Sequence, residues 1–245
     1  MFDGIHDPGA VGRAHDPESA GRARLESLSR RYGHLDGAAL LRPMIEHEFA
    51  GRIAVVSSFG SEAAVILSLV AEIDTATPIV FLDTGKHFLE TLTYKDILVN
   101  RFGFTDVRTI APEPADLAAE DAIGELWSSD PNRCCHLRKV RPLARALGDF
   151  DAWVTGRKRF HGGQRTRLPV LEAGDGRIKI NPLVHWPRPW VEAAFRERRL
   201  PPHPLADDGY LSIGCEPCTA LSADGDNLRA GRWQGRDKTE CGIHR

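Results

Sequence analysis

Four short strand-like runs constrain this chain more than any other feature, because each runs into a polar turn or a helical stretch. Ile53-Ala54-Val55-Val56-Ser57 is β-branched and ends in the turn Ser58-Phe59-Gly60-Ser61, after which Glu62–Glu72 has the length and apolar content of a helix. Pro78-Ile79-Val80-Phe81-Leu82 repeats the pattern, closed by Asp83-Thr84-Gly85 and followed by an expected helix over about Phe88–Arg101. Thr105–Ile110 reads as a third strand before a helix near Ala115–Gly124, and Ala152-Trp153-Val154-Thr155 as a fourth. Strand–helix alternation of this kind sets the runs side by side in a parallel sheet covered on both faces by helices. The expected fold class is therefore α/β, a Rossmann-like parallel sheet. Two helices, about Pro17–Arg31 and Asp36–Phe49, should precede it, the second with Leu40, Leu41, Met44 and Ile45 at helical spacing. Residues 1–16 read as a frayed start. Residues 200–245, dense in Pro, Gly and charge, read as a loop-rich C-terminal segment wrapped on the main body.

At 245 residues the chain can bury a proper core without staples. The expected organisation is one domain over 1–245, with a helical N-terminal region at 1–50 and a mobile tail at 225–245. Its 32 basic against 34 acidic residues give a net charge of −2, so no bulk field draws it to nucleic acid or to a membrane surface. Anion recognition must come from local clusters. Met1 to Ala20 has no continuous apolar run, and nothing approaches the roughly 18 apolar residues of a membrane span. The cytoplasm is the expected location, where cysteines stay reduced and serve as ligands or catalysts rather than disulfides.

The turn Ser57-Ser58-Phe59-Gly60-Ser61-Glu62 lies where a strand gives way to a helix. Small hydroxyl side chains, a Gly for close approach and helix N-terminal N–H groups suit a phosphate or sulfate. The Gly-Lys-[Ser/Thr] ending of a P-loop is absent. The bland alternative is a capped helix start with Ser61 as N-cap.

The five cysteines divide into an adjacent pair, Cys134 and Cys135, a C-x-x-C at Cys215 and Cys218, and a lone Cys241. Four thiolates from two segments suit tetrahedral zinc or a 4Fe–4S cluster, and buried reduced cysteines without metal are the third possibility. The pair lies on an expected helix that begins after Pro131 and is interrupted near Pro142. Neighbours on a helix point about 100° apart, so both could face one cluster only with strain. Lys139, four residues after Cys135, could offset thiolate charge and bridge to an anionic substrate, or stand as a solvated surface lysine. Cys241 lies among Arg236, Lys238, His244 and Arg245, where its thiolate is favoured. Arg229 and Arg232, three apart, suit capture of a phosphate or sulfate. A basic tail with an incidental cysteine is the alternative, disfavoured by the anion turn and the four thiols in the same chain.

Taken together, these segments resemble a known family. The matching stretches are Ser57–Glu62, Leu82-Asp83-Thr84-Gly85-Lys86, Cys134 to Lys139 and on to Pro142-Leu143, Thr155-Gly156-Arg157, and Lys179-Ile180-Asn181-Pro182-Leu183. They continue with Tyr210 to Thr219, Arg229 to Trp233, and Glu240-Cys241-Gly242-Ile243-His244. The chain is similar to the assimilatory sulfonucleotide reductases, in particular to the iron–sulfur branch, the thioredoxin-dependent adenylyl-sulfate (APS) reductases. The resemblance implies an ATP-pyrophosphatase-like (adenine nucleotide alpha hydrolase-like) fold. It implies that Ser57, Ser58, Phe59, Gly60, Ser61, Lys139, Arg157, Arg229, Arg232 and His244 bind the substrate, and that Cys241 is the nucleophile. Cys134, Cys135, Cys215 and Cys218 would hold one 4Fe–4S cluster, with Lys139 between cluster and substrate. Thioredoxin would be the electron donor in sulfate assimilation toward cysteine, and a homo-oligomer is suggested. The nearest rival is a reductase of the 3′-phosphorylated substrate (PAPS), which generally lacks the cluster cysteines. A tRNA-thiolating ATP pyrophosphatase would want a Ser-Gly-Gly-x-Asp-Ser turn, and a zinc-stabilised binding module would be colourless. One stretch departs from the family pattern: Phe160-His161-Gly162-Gly163 stands where Asp-Gln-Ser is usual.

Overall fold

All four expected runs form strands in the computed structural model, which describes residues 17–222 and 227–244: β1 (Ile53–Val56), β2 (Ile79–Leu82), β3 (Val107–Ile110) and β4 (Ala152–Val154). The frayed start expected over residues 1–16 lies outside the described residues. Two further strands were not foreseen, β5 (Leu171–Gly174) and β6 (Arg177–Ile180), an antiparallel hairpin. Its turn is Asp175-Gly176, with φ of 53° and 72°. Positive φ at both positions is the mirror-image turn whose twist matches that of the flanking strands, and Asp-Gly is its sequence signal. The six strands stand in the order β3-β2-β1-β4-β6-β5, parallel except for β5.

Side chains alternate across the strands between two cores. Ile53 and Val55, Ile79 and Phe81, and Ala152 and Val154 face one side. Ala54, Val80, Leu82 and Trp153 face the other. The first side is covered by α1 (Pro17–Tyr32), α2 (Gly37–Pro43), α3 (Ala63–Ala71), α4 (Leu89–Phe102) and, unforeseen, α9 (Arg188–Glu197). Every residue from Ala64 to Val70 is buried, as a helix packed between a sheet and other helices requires.

Four shorter helices follow β2 and α4 in chain order: α5 (Pro114–Glu120), α6 (Leu126–Ser129), α7 (Pro131–Cys135) and α8 (Arg141–Ala146). Leu143 within α8 and Leu147 just after its end pack on the second face. Between α7 and α8 the chain makes a wide π-type turn, His136–Val140. Pro142 has no N–H for the carbonyl four residues back, so the helix widens just before it, where a break was expected. Among the described residues no helix is long and apolar enough to cross a membrane.

Candidate active site

The order of strands reverses between β1 and β4, and a doubly wound sheet opens a ligand crevice where its order reverses, outside the carboxyl ends of the strands. A cavity of about 200 Å³ sits there, lined by Ser57, Ser58, Gly60 and Ser61 after β1 and by Thr155, Gly156 and Arg157 after β4. Lys139, Arg229, Arg232, Cys241 and His244 complete it. Of the expected substrate-binding residues only Phe59 does not line the cavity. Its φ is 48° and its buried ring meets Phe81 edge-on at 5.6 Å, so it anchors the turn in the core. Ser61 is not the N-cap: α3 starts at Ala63, and the Ser61 hydroxyl instead donates to the Leu211 carbonyl at 3.1 Å. None of the N–H groups of Gly60, Ser61 and Glu62 donates to a backbone carbonyl among the described residues. A Cβ on Gly60 would lie 3.0 Å from the Ile213 carbonyl oxygen, which explains the glycine.

Cations dominate the wall, and its arginines are held in place by neighbouring groups. Arg157 pairs with Glu172 and bonds Asn181 Oδ1 at 3.2 Å, while Asn181 Nδ2 donates to Glu172 at 2.8 Å. Burial and the neighbouring Arg165 lower the Arg157 pKa to about 10. Arg229 donates to the Thr239 carbonyl at 2.9 Å, and burial lowers its pKa to about 10. Arg232 is stacked 4.5 Å over the buried Trp233 ring, with burial also pulling its pKa down. It lies so close over Gly214 that a Cβ there would meet the guanidinium at 2.2 Å. His244 stacks on Trp153 with centroids 6.1 Å apart, and its buried Nδ1 has no partner.

A second, smaller cavity adjoins the first and is lined by Cys134, Cys135, Cys215 and Cys218. Lys139, Arg232 and Trp233 line both. The thiols are held by backbone and by buried polar contacts. Asp130 caps α7 by accepting from Asn132 N and Arg133 N at 3.0 and 2.9 Å. The Thr84 hydroxyl lies 3.3 Å from Cys215 Sγ, and the Glu216 N–H donates to the Lys86 carbonyl at 2.8 Å. Arg138 joins Asp121 at 2.6 Å in a buried pair and also donates to the Thr84 carbonyl at 2.8 Å. Burial, then the nearby Cys215, pushes the Cys134 thiol up to about 11. Among the described residues no three His, Cys, Asp or Glu side chains converge closely enough for one metal ion; the four thiols stand round a space instead.

Cys241 lines the first cavity and meets Cys135, which lines the second. A hydrogen bond with Cys135 lowers its pKa first; burial opposes this, and Lys139, the Ile243 N–H and Arg232 reinforce it. Lys139 is not a surface lysine. Burial works against its ammonium, but the sulfurs of Cys215, Cys241 and Cys135 outweigh that and hold it charged. Sequence reasoning missed Glu62, His161, Arg165, Glu172, Asn181, Trp233 and Glu240 as parts of the site. Glu62, Asn181, Trp233 and Glu240 stood in matched motifs and His161 in the departing stretch, whereas Arg165 and Glu172 carried no signal of their own.

A switch-point cleft lined by cations and bordered by the Cys241 thiol defines an α/β fold with an anion-suited cleft at the carboxyl ends of its strands. The phosphoadenosine phosphosulfate reductase domain matches residues 52–221, and the chain belongs to that family. It is an oxidoreductase acting on a sulfur group. It is 49% identical over 234 residues to a protein of Mesorhizobium japonicum named adenosine 5′-phosphosulfate reductase, covering 96% of this chain and 91% of the relative. A Gloeobacter violaceus protein named phosphoadenosine 5′-phosphosulfate reductase is 39% identical, covering 90% and 93%. The Candida auris phosphoadenylyl-sulfate (PAPS) reductase structure, a phosphate complex, superposes with a TM-score of 0.68 at 27% identity over 86% of this chain and all of that one. The FMN adenylyltransferase of Candida glabrata, at 13% identity and a TM-score of 0.55 over 87% of this chain and 70% of that one, shares the fold alone. The expected ATP-pyrophosphatase-like fold is therefore present.

Proposed function

We propose that this reductase converts APS to sulfite and AMP, with Cys241 as nucleophile and thioredoxin as reductant. The observation that carries the reading is the placement of Cys241 in the cation-lined cleft beside Lys139 and Arg232. Relatives at 49% and 45% identity bear the APS reductase name, which supports APS over PAPS.

The Cys241 thiolate attacks the sulfur of APS. The bond from sulfur to the bridging phosphate oxygen breaks, AMP leaves with both electrons, and Cys241 carries the sulfo group as S-sulfocysteine. The leaving group is already a good one, so the protein's task is positioning and neutralising charge. Lys139, Arg157, Arg229 and Arg232 offset the substrate's negative charges, and the turn Ser57–Ser61 receives an anionic group. A thioredoxin thiolate then attacks Cys241 Sγ, the S–S bond to the sulfo group breaks, and sulfite departs. The second thioredoxin thiol resolves the mixed disulfide, so both electrons come from that dithiol. The tail would swing out of the cleft to meet thioredoxin, from a domain in the reducing cytoplasm.

The residues fit a 4Fe–4S cluster better than a single ion. Four thiols surround a space rather than a point, and the buried Trp233 indole on the same wall has an Nε1–H without an acceptor. Cys134, Cys135, Cys215 and Cys218 would hold it. When bound, the cluster would supply a fixed negative charge that Lys139 balances, and it would tie α7 to the 215–218 loop.

The test is the intact mass of anaerobically purified protein mixed with APS or PAPS without thioredoxin. An added SO₃ on the wild type, absent from Cys241→Ser and formed faster with APS, is the expected result. Faster labelling by PAPS would assign the other substrate. No adduct with either, on protein that retains its iron, would sink the covalent mechanism.

A further inference from the structure

The stretch that departs from the family pattern builds a chain of polar contacts from the anion turn to the catalytic tail. Glu62, just after the turn, meets His161 Nε2 at 2.9 Å and Lys158 Nζ at 2.7 Å. His161 Nδ1 lies 3.0 Å from Arg165 Nη1. Arg165 then clamps Glu240 with two bonds, at 2.5 and 2.9 Å. Glu240 is the residue before Cys241. Nearby, Gln164 Nε2 donates to the Thr239 hydroxyl at 3.4 Å, so the same loop grips the tail twice.

The protons in this chain can run only one way. A guanidinium has donors and no acceptor, so Arg165 must donate to His161 Nδ1. Nδ1 is then unprotonated, and Nε2 carries the proton that Glu62 accepts. His161 is thus neutral, and a second proton would set an N–H against the Arg165 N–H. We infer that His161 is a positioning residue: as a neutral imidazole it fixes the Arg165 guanidinium that clamps Glu240 and so seats Cys241 in the cleft. The inference rests on the reading of Cys241 as nucleophile.

The groups facing His161 are Glu62 from the start of α3, Lys158 and Arg165 from its own loop, and the Phe160 ring at 4.5 Å. Burial lowers its pKa first, Lys158 and Arg165 lower it further, and Glu62 opposes them without reversing the direction. The imidazole therefore stays neutral at neutral pH and protonates only below the ordinary value of 6.5. Seating of the tail is expected to hold near pH 7 and to loosen as pH falls below that value.

The measurement is the rate at which iodoacetamide alkylates Cys241 in the folded holoprotein without substrate, read by intact mass. His161→Leu, which cannot accept from Arg165, is expected to raise it about tenfold and to slow sulfo-adduct formation similarly, since small misplacements of reacting groups carry effects of that size or more. His161→Gln can donate to Glu62 and accept from Arg165, and is expected to restore seating to within about threefold of wild type. The ratio of wild-type to His161→Gln alkylation should rise as pH drops from 7 to 5, because only the wild type carries the titrating ring. Equal alkylation of the Leu and Gln variants would overturn the inference. Should His161→Leu melt far below wild type, Glu240→Gln tests the clamp from the tail side, and unchanged alkylation there would overturn it too. Alkylation needs no nucleotide. A wild type that forms no sulfo adduct while His161→Leu still exposes Cys241 would count against the function and not against the clamp.

Discussion

The two cavities on either side of Lys139 are built on opposite plans. The thiol cavity takes its ligands from two short segments and holds them with the α7 cap, the Thr84 hydroxyl and the Arg138–Asp121 pair. The cleft takes its cations from four separate stretches and holds Arg157, Arg165, Arg229 and Arg232 with a carboxylate, a carbonyl or an aromatic face. The first is a frame of thiols that, on the proposed reading, would hold a cluster. The second is a field of partly neutralised positive charge whose counterions, Glu172 and Glu240, belong to the protein. An arriving anion therefore meets arginines that are already oriented, and competes with internal carboxylates for them.

The sharpest way to separate the two plans is Cys241→Ser. It belongs to the cleft chemistry and not to the frame, so iron content should match wild type while sulfite formation falls by at least about 10³-fold. Loss of iron with the activity would show that the cavities are not separable. Cys215→Ala is the converse, and iron analysis with the visible spectrum should report loss of the bound group.

Next in size is Arg138→Leu, aimed at the frame. It leaves Asp121, almost wholly buried, without its cation, and should destabilise by about 3–5 kcal/mol, or about 10 °C in melting temperature. Burial alone would raise the Asp121 pKa, but the Leu126 N–H and Arg138 hold it below the ordinary 3.8. A carboxylate with a depressed folded pKa adds stability that is present above its unfolded value and lost as pH falls through the folded one. Without Arg138 the burial effect dominates, so the gap between variant and wild type should narrow from pH 7 toward pH 4. A constant gap would mean that Arg138 stabilises through packing alone.

The shared wall gives a smaller effect. Lys139→Ala should lower kcat/KM with APS by about 10²-fold, about 2.7 kcal/mol of transition-state stabilisation, with iron retained. Unchanged turnover would remove the electrostatic link between the two cavities.

The contrast also explains what could be read from the sequence. Cysteines are rare, so two pairs at short spacing announce the thiol cavity, and apolar runs announce β1, β2 and β4, with β3 read from its place in the strand–helix alternation. The β5–β6 hairpin was hidden because Glu172, Arg177 and Lys179 interrupt its apolar pattern, although Asp175-Gly176 marked its turn. The carboxylates of the cleft were hidden for a different reason. Glu62 meets a lysine 96 positions away, and Arg165 a glutamate 75 away. Arg and Glu are common, and no local period connects them. The π-type turn after Cys135 was legible only as a break, since Pro142 forbids one bond without saying which wider turn replaces it.

The smallest effect concerns what the cleft's positive charge costs the fold. Lys179 on β6 lies 4.9 Å over the Trp153 ring, beside Arg157 and 4.0 Å from Glu172. Burial, then Arg157, lowers its pKa from 10.5 to about 8. Such a lysine destabilises the folded state wherever it is charged, and stability recovers as pH rises from the folded to the unfolded value. Lys179→Met keeps the apolar stem and removes the charge. The gain implied by the shift is reduced by solvent screening and by the lost contact with the Trp153 face, leaving a stabilisation of about 1 kcal/mol at pH 7. The advantage should fade between pH 8 and 10.5 in chemical denaturation, and binding of APS should weaken with it, because one cation behind His244 is gone. A variant less stable than wild type at pH 7 would make Lys179 a structural partner of Glu172 and Trp153, and confine the electrostatic burden of the cleft to its arginines.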